Sequence, residues 1–563
     1  MTTFSHTLQR HYNETPERVS IYLQHAGHPD VSITYRDLID GAARYTRALE
    51  RADIHPGEVV VLILQHGRDL IHSFWGAVLH GSIPSIMPFL TEKLSPERYR
   101  ADLAALVSIT KPAAIVTYPE FEQEARAALR DGDSVRSVIV TDHLDPLIEP
   151  DFSRMSGFQR SPDDIALLQH SSGTTGLQKG VALSHQAVFN QLSAYGATLS
   201  LTESDVIVSW LPLYHDMGLI ACFLLPVLMR VPLVLLSPFD WVRAPYRLMQ
   251  AVSQYKGTLS WLPNFAYNFC AQKTRDHNMD GVDLSSWRAI INCSEPVRYE
   301  SHRAFYERFQ SHGLKETAPQ TSYAMAENVF GVTQSPPGVF PVVEEIDREA
   351  FITRRVARDP VDGKSVMKMM SSGRPLGNTR VRVLDDQGRD VPDRQVGEIV
   401  LQSDCMLTGY YNRPDATEKA FRDGWYLTGD YGYLSNGELY VSGRKKDMII
   451  VGGKNVYPQD LESLACEVPG VHAGRTVAFG VFDETAGTEE VVIVAETDLE
   501  NKDEREKLAD AIRLHVTKSS AIALRHVRVV GGKWILKTSS GKVARSANRE
   551  KFLAETSARA QSE

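Results

Sequence analysis

Apolar and polar positions along this chain fall into two textures. Through the first part, short unbroken apolar runs alternate with stretches of helical period. Residues 59–64 (Val-Val-Val-Leu-Ile-Leu) read as a strand buried on both faces, and residues 113–117 and 137–141 as further strands. Residues 4–22 carry apolar residues at helical spacing, as do 42–52 and 73–81. Residues 33–38 predict a strand end running into a helix capped near Thr34, and Pro56-Gly57 marks a turn. Strands alternating with helices predict βαβ units and a mostly parallel sheet, an α/β fold.

From Gly388 the runs shorten. Residues 397–401 and 437–441 predict short strands joined by turns, a small β-rich subdomain. A charged stretch, Arg444-Lys445-Lys446-Asp447, then precedes an apolar strand at 448–451. Beyond it the pattern predicts a helix (458–466), strands (476–481, 490–495), a helix (503–517), a strand (526–530) and a tail. About a fifth of the chain thus forms a small α+β unit. The predicted organisation is an N-terminal domain over 1–443, with its β-rich subdomain near 380–443, a hinge at 444–447, and a mobile C-terminal domain over 448–563. A chain of 563 residues is too long for one core in any case.

Composition narrows the class. A formal net charge of −9 argues against nucleic acid as the main partner. The five cysteines are scattered singly with no metal-ligand spacing, which predicts a reducing compartment. The polar first residues predict no signal peptide. The most apolar stretch, 219–236, is interrupted by Pro226, Arg230 and Pro232, so it reads as buried core and not a membrane span. A cytoplasmic enzyme is expected.

The chemistry concentrates at Ser171-Ser172-Gly173-Thr174-Thr175-Gly176-Leu177-Gln178-Lys179-Gly180. Glycines let the backbone turn its N–H groups inward, hydroxyls add donors and Lys179 adds a charge, so such a loop can wrap a polyphosphate. The spacing is not that of a P-loop, which excludes a P-loop kinase or ATPase. An apolar run before it (165–168) and Val181-Ala182-Leu183-Ser184-His185 after it predict strand, loop, then strand or helix.

The loop with its Lys-Gly end and following Ser-His resembles the adenylate-forming superfamily, which includes acyl-CoA synthetases and fatty acyl-AMP ligases. That resemblance implies ATP and Mg²⁺, and a role for each later motif. His215, in Tyr214-His215-Asp216-Met217-Gly218, would orient the substrate carboxylate and gate its pocket. The backbone of Ser294-Glu295-Pro296 would form one face of the adenine slot and Tyr323 the other, with Glu327 as Mg²⁺ ligand. Here Ala324 and Ala326 depart from the common Tyr-Gly-x-Thr-Glu. Asp430, in Tyr426-Leu427-Thr428-Gly429-Asp430, would hold the ribose hydroxyls with Arg444. Lys446 would be the hinge pivot and Lys542, in Gly541-Lys542-Val543, the adenylation lysine, although Leu536 replaces the usual Pro before that motif.

Within the superfamily, the motifs at 211–220, 372–376 and 457–462, and the charged segment 332–370, resemble fatty acyl-AMP ligases, whose members pass acyl groups to carrier proteins. Gly452 and Gly453 resemble CoA ligases, where small residues line the thiol path. CoA is therefore the expected acceptor, with a phosphopantetheine carrier protein as the alternative; a partner that uses adenylate made elsewhere is a third reading. Trp261, Asn264 and Phe265 are expected in an apolar acyl pocket suited to a fatty or bulky acid. A non-catalytic binding protein on the same fold is expected to lack Lys542, Glu327 or Asp430, and all three are present.

Overall fold

The computed structural model describes residues 2–90, 96–147, 149–170, 179–361, 366–451, 454–472, 474–483, 488–520, 522, 524–538 and 542–560. Two large sheets organise the N-terminal region. In the seven-stranded sheet, Val59–Ile63 runs parallel to Ile83–Ile86 and Ala114–Thr117, and all five of its residues are buried. Helices Tyr35–Arg51 and Arg68–His80 pack beside it, the first closed by a Thr34/Asp37 capping box. In the nine-stranded sheet, Ile207–Ser209, Leu233–Leu236, Leu259–Leu262, Ala289–Asn292 and Pro319–Ala324 are parallel neighbours. The α/β expectation holds.

A five-stranded antiparallel sheet follows. It includes Thr379–Leu384, Gly397–Ser403, Trp425–Ser435 and Glu438–Arg444. The last two strands meet at Asn436 (φ 51°) and Gly437 (φ 80°), the paired positive dihedrals of a two-residue hairpin turn. Beyond residue 447, Thr476–Asp483, Thr488–Glu496 and His526–Val530 form a three-stranded sheet. Helices Pro458–Cys466 and Lys502–Ser520 pack against it around a separate apolar cluster that includes Leu461, Ile493 and Ile512.

Three elements differ from the sequence reading. The first helix stops at Glu14, because Thr15 leaves helical geometry (ψ 55°) ahead of Pro16; Val19–Gln24 is a strand. Residues 217–224 form a π-helix inside the apolar stretch, and Arg545–Ala560, read as tail, is a helix. Among the described residues no helix is long and apolar enough to cross a membrane.

Candidate active site

Parallel sheets bind ligands at the carboxyl ends of their strands. The nine-stranded sheet delivers its candidate residues there. Ser209 leads to His215, Leu262 to Phe265, Asn292 to Glu295 and Ala324 to Glu327. At the first of these ends, His215 Nδ1 lies 3.2 Å from Asp216 Oδ1, and Asp216 caps the π-helix by accepting from Met217 N–H at 2.8 Å.

At the third strand end Ser294 sits at φ 70°, left-handed for a non-glycine. The Glu295 carboxylate turns back to accept the Phe265 N–H at 2.9 Å, which satisfies a donor at the start of helix Asn264–Lys273. Beside it, Trp261 is buried with its indole N–H donating to Tyr195 Oη at 2.9 Å. The Asn264 side chain is spent on Ser301, Asn292 and the Arg298 N–H. Phe265 meets the edges of Trp210 and Trp241, whose rings are stacked at 3.4 Å.

At the fourth, Tyr323 Oη donates to Asp430 Oδ2 at 2.6 Å. Hairpin register explains why Asp430 is there with Arg444: the two are cross-strand partners, with Arg444 Nε 3.6 Å from the carboxylate. Burial raises the Asp430 carboxyl above its ordinary range, opposed by Arg444 and by the Tyr323 bond. Four residues past Tyr323, Glu327 is followed by a strained turn. Val329 is at φ 61° and Phe330 N–H closes on Asn328 O at 2.6 Å, a γ-turn with a β-branched centre.

Lys542 comes from the C-terminal region, between Thr538 and Val543: Thr538 N–H donates to Lys542 O at 2.7 Å, and Lys542 N–H donates to Thr538 Oγ1 at 3.2 Å. Its ammonium is pushed down from its ordinary value by burial and by Arg444, and is pulled up by Asp216 and Glu295. The reciprocal effect appears at Asp216, where burial favours the acid but His215 and Lys542 hold the carboxyl below its usual range. Lys542 therefore stands among Asp216, Glu295 and Arg444, which come from three separate elements of the large region.

The turn after Arg444 joins the large region to the small one. Lys445–Asp447 is a single 3₁₀ turn, with Asp447 and Glu462 both held by the Arg545 guanidinium. Burial lowers the Lys446 ammonium, as do Arg444 and Lys179 nearby. Among the described residues, Arg298 and Ser442 are two of the groups that fasten the small region. Arg298 donates to Gln459 O at 3.2 Å and lies 3.9 Å from Asp460. The hairpin ladder shifts register between Tyr431 and Gly432, leaving Ser442 unpaired, and its carbonyl accepts the Gln459 amide.

Lys179, His215, Tyr323, Glu327, Asp430, Arg444, Lys446 and Lys542 are thus brought together. Ser171, Ser172, Gly173, Thr174, Thr175, Gly176, Gly452 and Gly453 lie outside the described residues. Tyr410, whose hydroxyl bonds Glu327, and Arg298 were not legible beforehand, while Tyr426 stood in the Asp430 motif without a role of its own. A Gly-Tyr pair in a two-residue strand carries no periodic signal, and Arg298 is one cation in a polar run.

Burial raises the Glu327 carboxyl, and Asp216 and Asp430 add to that rise. A buried carboxylate among like charges, offering hard oxygen, fits a Mg²⁺ shared with substrate phosphates. Among the described residues there is no group of three ligating side chains that holds a metal by itself.

Tyr323, the Asp430–Arg444 pair, Glu327 and Lys542 come together as the resemblance to adenylate-forming ligases implies. The family model described as AMP-binding enzyme matches residues 8–411, and this chain belongs to that family. Its relatives include the long-chain-fatty-acid–AMP ligase FadD26 of Mycobacterium bovis, 30% identical over 97% of this chain and 96% of that protein. The medium-chain-fatty-acid–[acyl-carrier-protein] ligase JamA of Moorena producens is 29% identical over 96% of this chain and 93% of that protein. A chain solved in studies of fatty acyl-adenylate ligases from E. coli and L. pneumophila superposes with a TM-score of 0.88 at 26% identity, covering 99% of this chain and 98% of that one.

Proposed function

We propose that this ligase joins an apolar carboxylic acid to AMP and then hands the acyl group to the phosphopantetheine thiol of a carrier protein. What supports the first half is membership of the AMP-binding enzyme family together with Lys542, whose ammonium is within electrostatic reach of Asp216, Glu295 and Arg444. In that orientation an ammonium faces the cleft where a triphosphate would lie.

A carboxylate oxygen of the acid attacks the α-phosphorus of ATP; the bond from α-phosphorus to the β-bridging oxygen breaks, and pyrophosphate leaves. Negative charge gathers on the α-phosphate and the leaving group. Lys542 and Lys179 oppose it as preorganised charges. Asp430 and Arg444 hold the ribose, Tyr323 fixes Asp430 and faces the base with the 294–296 backbone, and His215 orients the acid. Glu327 would hold Mg²⁺, which when bound neutralises phosphate charge. Phe265, with Trp210 and Trp241, lines the apolar side, and Trp261 and Asn264 support it from behind.

The second half requires Lys542 to withdraw as the small domain turns about Lys446. A thiolate then attacks the acyl carbonyl and AMP leaves. The carrier is preferred to CoA because JamA, matched over nearly its whole length, is a carrier-protein ligase, and FadD26 an acyl–AMP ligase. The CoA expectation stands on Gly452 and Gly453. The test is a panel of acids with ATP, read as pyrophosphate, followed by CoA or holo-carrier protein with products weighed by mass spectrometry. Acyl-carrier without acyl-CoA is expected; acyl-CoA alone overturns the acceptor, and no acid-dependent pyrophosphate overturns the ligase reading.

A further inference from the structure

The short strand Gly409–Tyr410 is an outlier in the fold. It leaves the β-rich region to pair antiparallel with Gly180–Ser184, the strand that begins where the phosphate loop ends. Its neighbours fix it on both sides. Thr408 N–H donates to Ala182 O at 2.9 Å, Tyr411 N–H to Gly180 O at 2.8 Å, and Leu407 N–H to the Glu327 carbonyl at 2.8 Å. One five-residue stretch thus spans from the backbone of Glu327 to the foot of Lys179.

The side chain repeats that bridge. Tyr410 is buried, and its hydroxyl donates to Glu327 Oε1 at 2.9 Å. Its ring carries the Lys179 ammonium 4.5 Å from the centroid, a cation–π distance. Tyr426 Oη lies 3.0 Å from Tyr410 Oη; because the Tyr410 proton goes to the carboxylate, Tyr426 donates to Tyr410. A proton-donor chain, Tyr426 to Tyr410 to Glu327, therefore aims one carboxylate oxygen and leaves the other for a ligand. The same ring keeps Lys179 beside the cleft.

We infer that Tyr410 is the positioning residue that sets two oppositely charged groups of the ATP site, aiming Glu327 through its hydroxyl and Lys179 through its ring. The inference rests on the proposed role of Glu327 as the Mg²⁺ ligand. It separates two functions on one side chain. The hydroxyl serves the divalent cation, since partners of a metal ligand fix its orientation. The ring serves the triphosphate through Lys179.

The experiment uses the full chain with three substitutions: Tyr410→Phe, Tyr410→Leu and Glu327→Gln. Mn²⁺ binding is read from the electron paramagnetic resonance spectrum of the enzyme-bound ion against a protein-free Mn²⁺–ATP control, and ATP KM is read at saturating Mg²⁺ in pyrophosphate release. Thermal unfolding shows that each variant is folded. Tyr410→Phe is expected to weaken Mn²⁺ binding about ten-fold or more, with ATP KM unchanged. Tyr410→Leu is expected to do the same and also to raise ATP KM several-fold, because the ring under Lys179 is gone. Weakened Mn²⁺ binding in Glu327→Gln with none in Tyr410→Phe overturns this inference alone. Unchanged binding in Glu327→Gln overturns the metal-ligand reading and this inference with it. Equal effects of Tyr410→Phe and Tyr410→Leu on both readouts mark a merely structural tyrosine and also overturn it.

Discussion

Tyr323 Oη donates to Asp430 Oδ2 at 2.6 Å, joining a strand end of the nine-stranded sheet to the hairpin of the β-rich region. The hydrogen bond gives Tyr323 a second task beyond presenting a flat ring to a base. A buried carboxylate that loses its donor bears the full desolvation cost, about 1–3 kcal/mol. Tyr323→Phe keeps the ring, so ATP KM should rise about ten-fold while kcat changes little. Steady-state kinetics in ATP check this, and an unchanged KM removes the bond from nucleotide binding.

Lys542→Ala should lower adenylate formation by about 10²–10³ or more, the usual cost of deleting one preorganised charge-stabilising group. Transfer from supplied acyl-AMP to the thiol should survive. Carboxylate-dependent ATP–pyrophosphate exchange and a separate transfer assay measure the two halves. Wild-type exchange in this variant would remove Lys542 from the chemistry.

Gly443 lies under the Gln459 side chain and the Tyr457 ring, so an added Cβ collides with both. Gly443→Ala should therefore loosen the contact that holds the small domain against Ser442. A loss of about 1.4 kcal/mol in that orientation is about ten-fold in adenylation rate. Transfer from supplied acyl-AMP should be untouched or faster. Equal slowing of both half-reactions would contradict a hinge-side effect.

Burial raises the Asp460 carboxyl to about 6, with Arg298 opposing the rise. Between about pH 4 and 6 the folded chain keeps a proton that the unfolded chain has released, so this group adds stability as pH falls and removes it as pH rises. Above about pH 6 the penalty is complete, at most about 3 kcal/mol. Asp460→Asn carries no charge at either extreme. Its Tm should exceed wild type near pH 8 and converge with it near pH 4.5; a gap independent of pH would refute the assignment.

The sequence made most of the frame legible, because the signals there are local. Residues 59–64 read as a buried strand because all of them are apolar, and Thr34 with Asp37 wrote a helix start directly. Residues 545–560 gave no such signal: their charged, weakly periodic pattern becomes a helix through tertiary contacts, such as Asn548 with the Leu536 backbone. The candidate site divides the same way. Lys179, Glu327, Asp430 and Lys542 stood in recognisable motifs. Tyr410 and Arg298 did not, since their partners are far away in sequence and only the fold brings them within reach.

The unpaired Ser442 ties the hairpin to the small domain by its backbone. Deleting Ser442 would regularise the ladder with Arg444 still opposite Asp430, but it would take away the carbonyl that Gln459 grips. Loops on the surface of this enzyme can drift in length; this stretch can change its letters far more readily than its count.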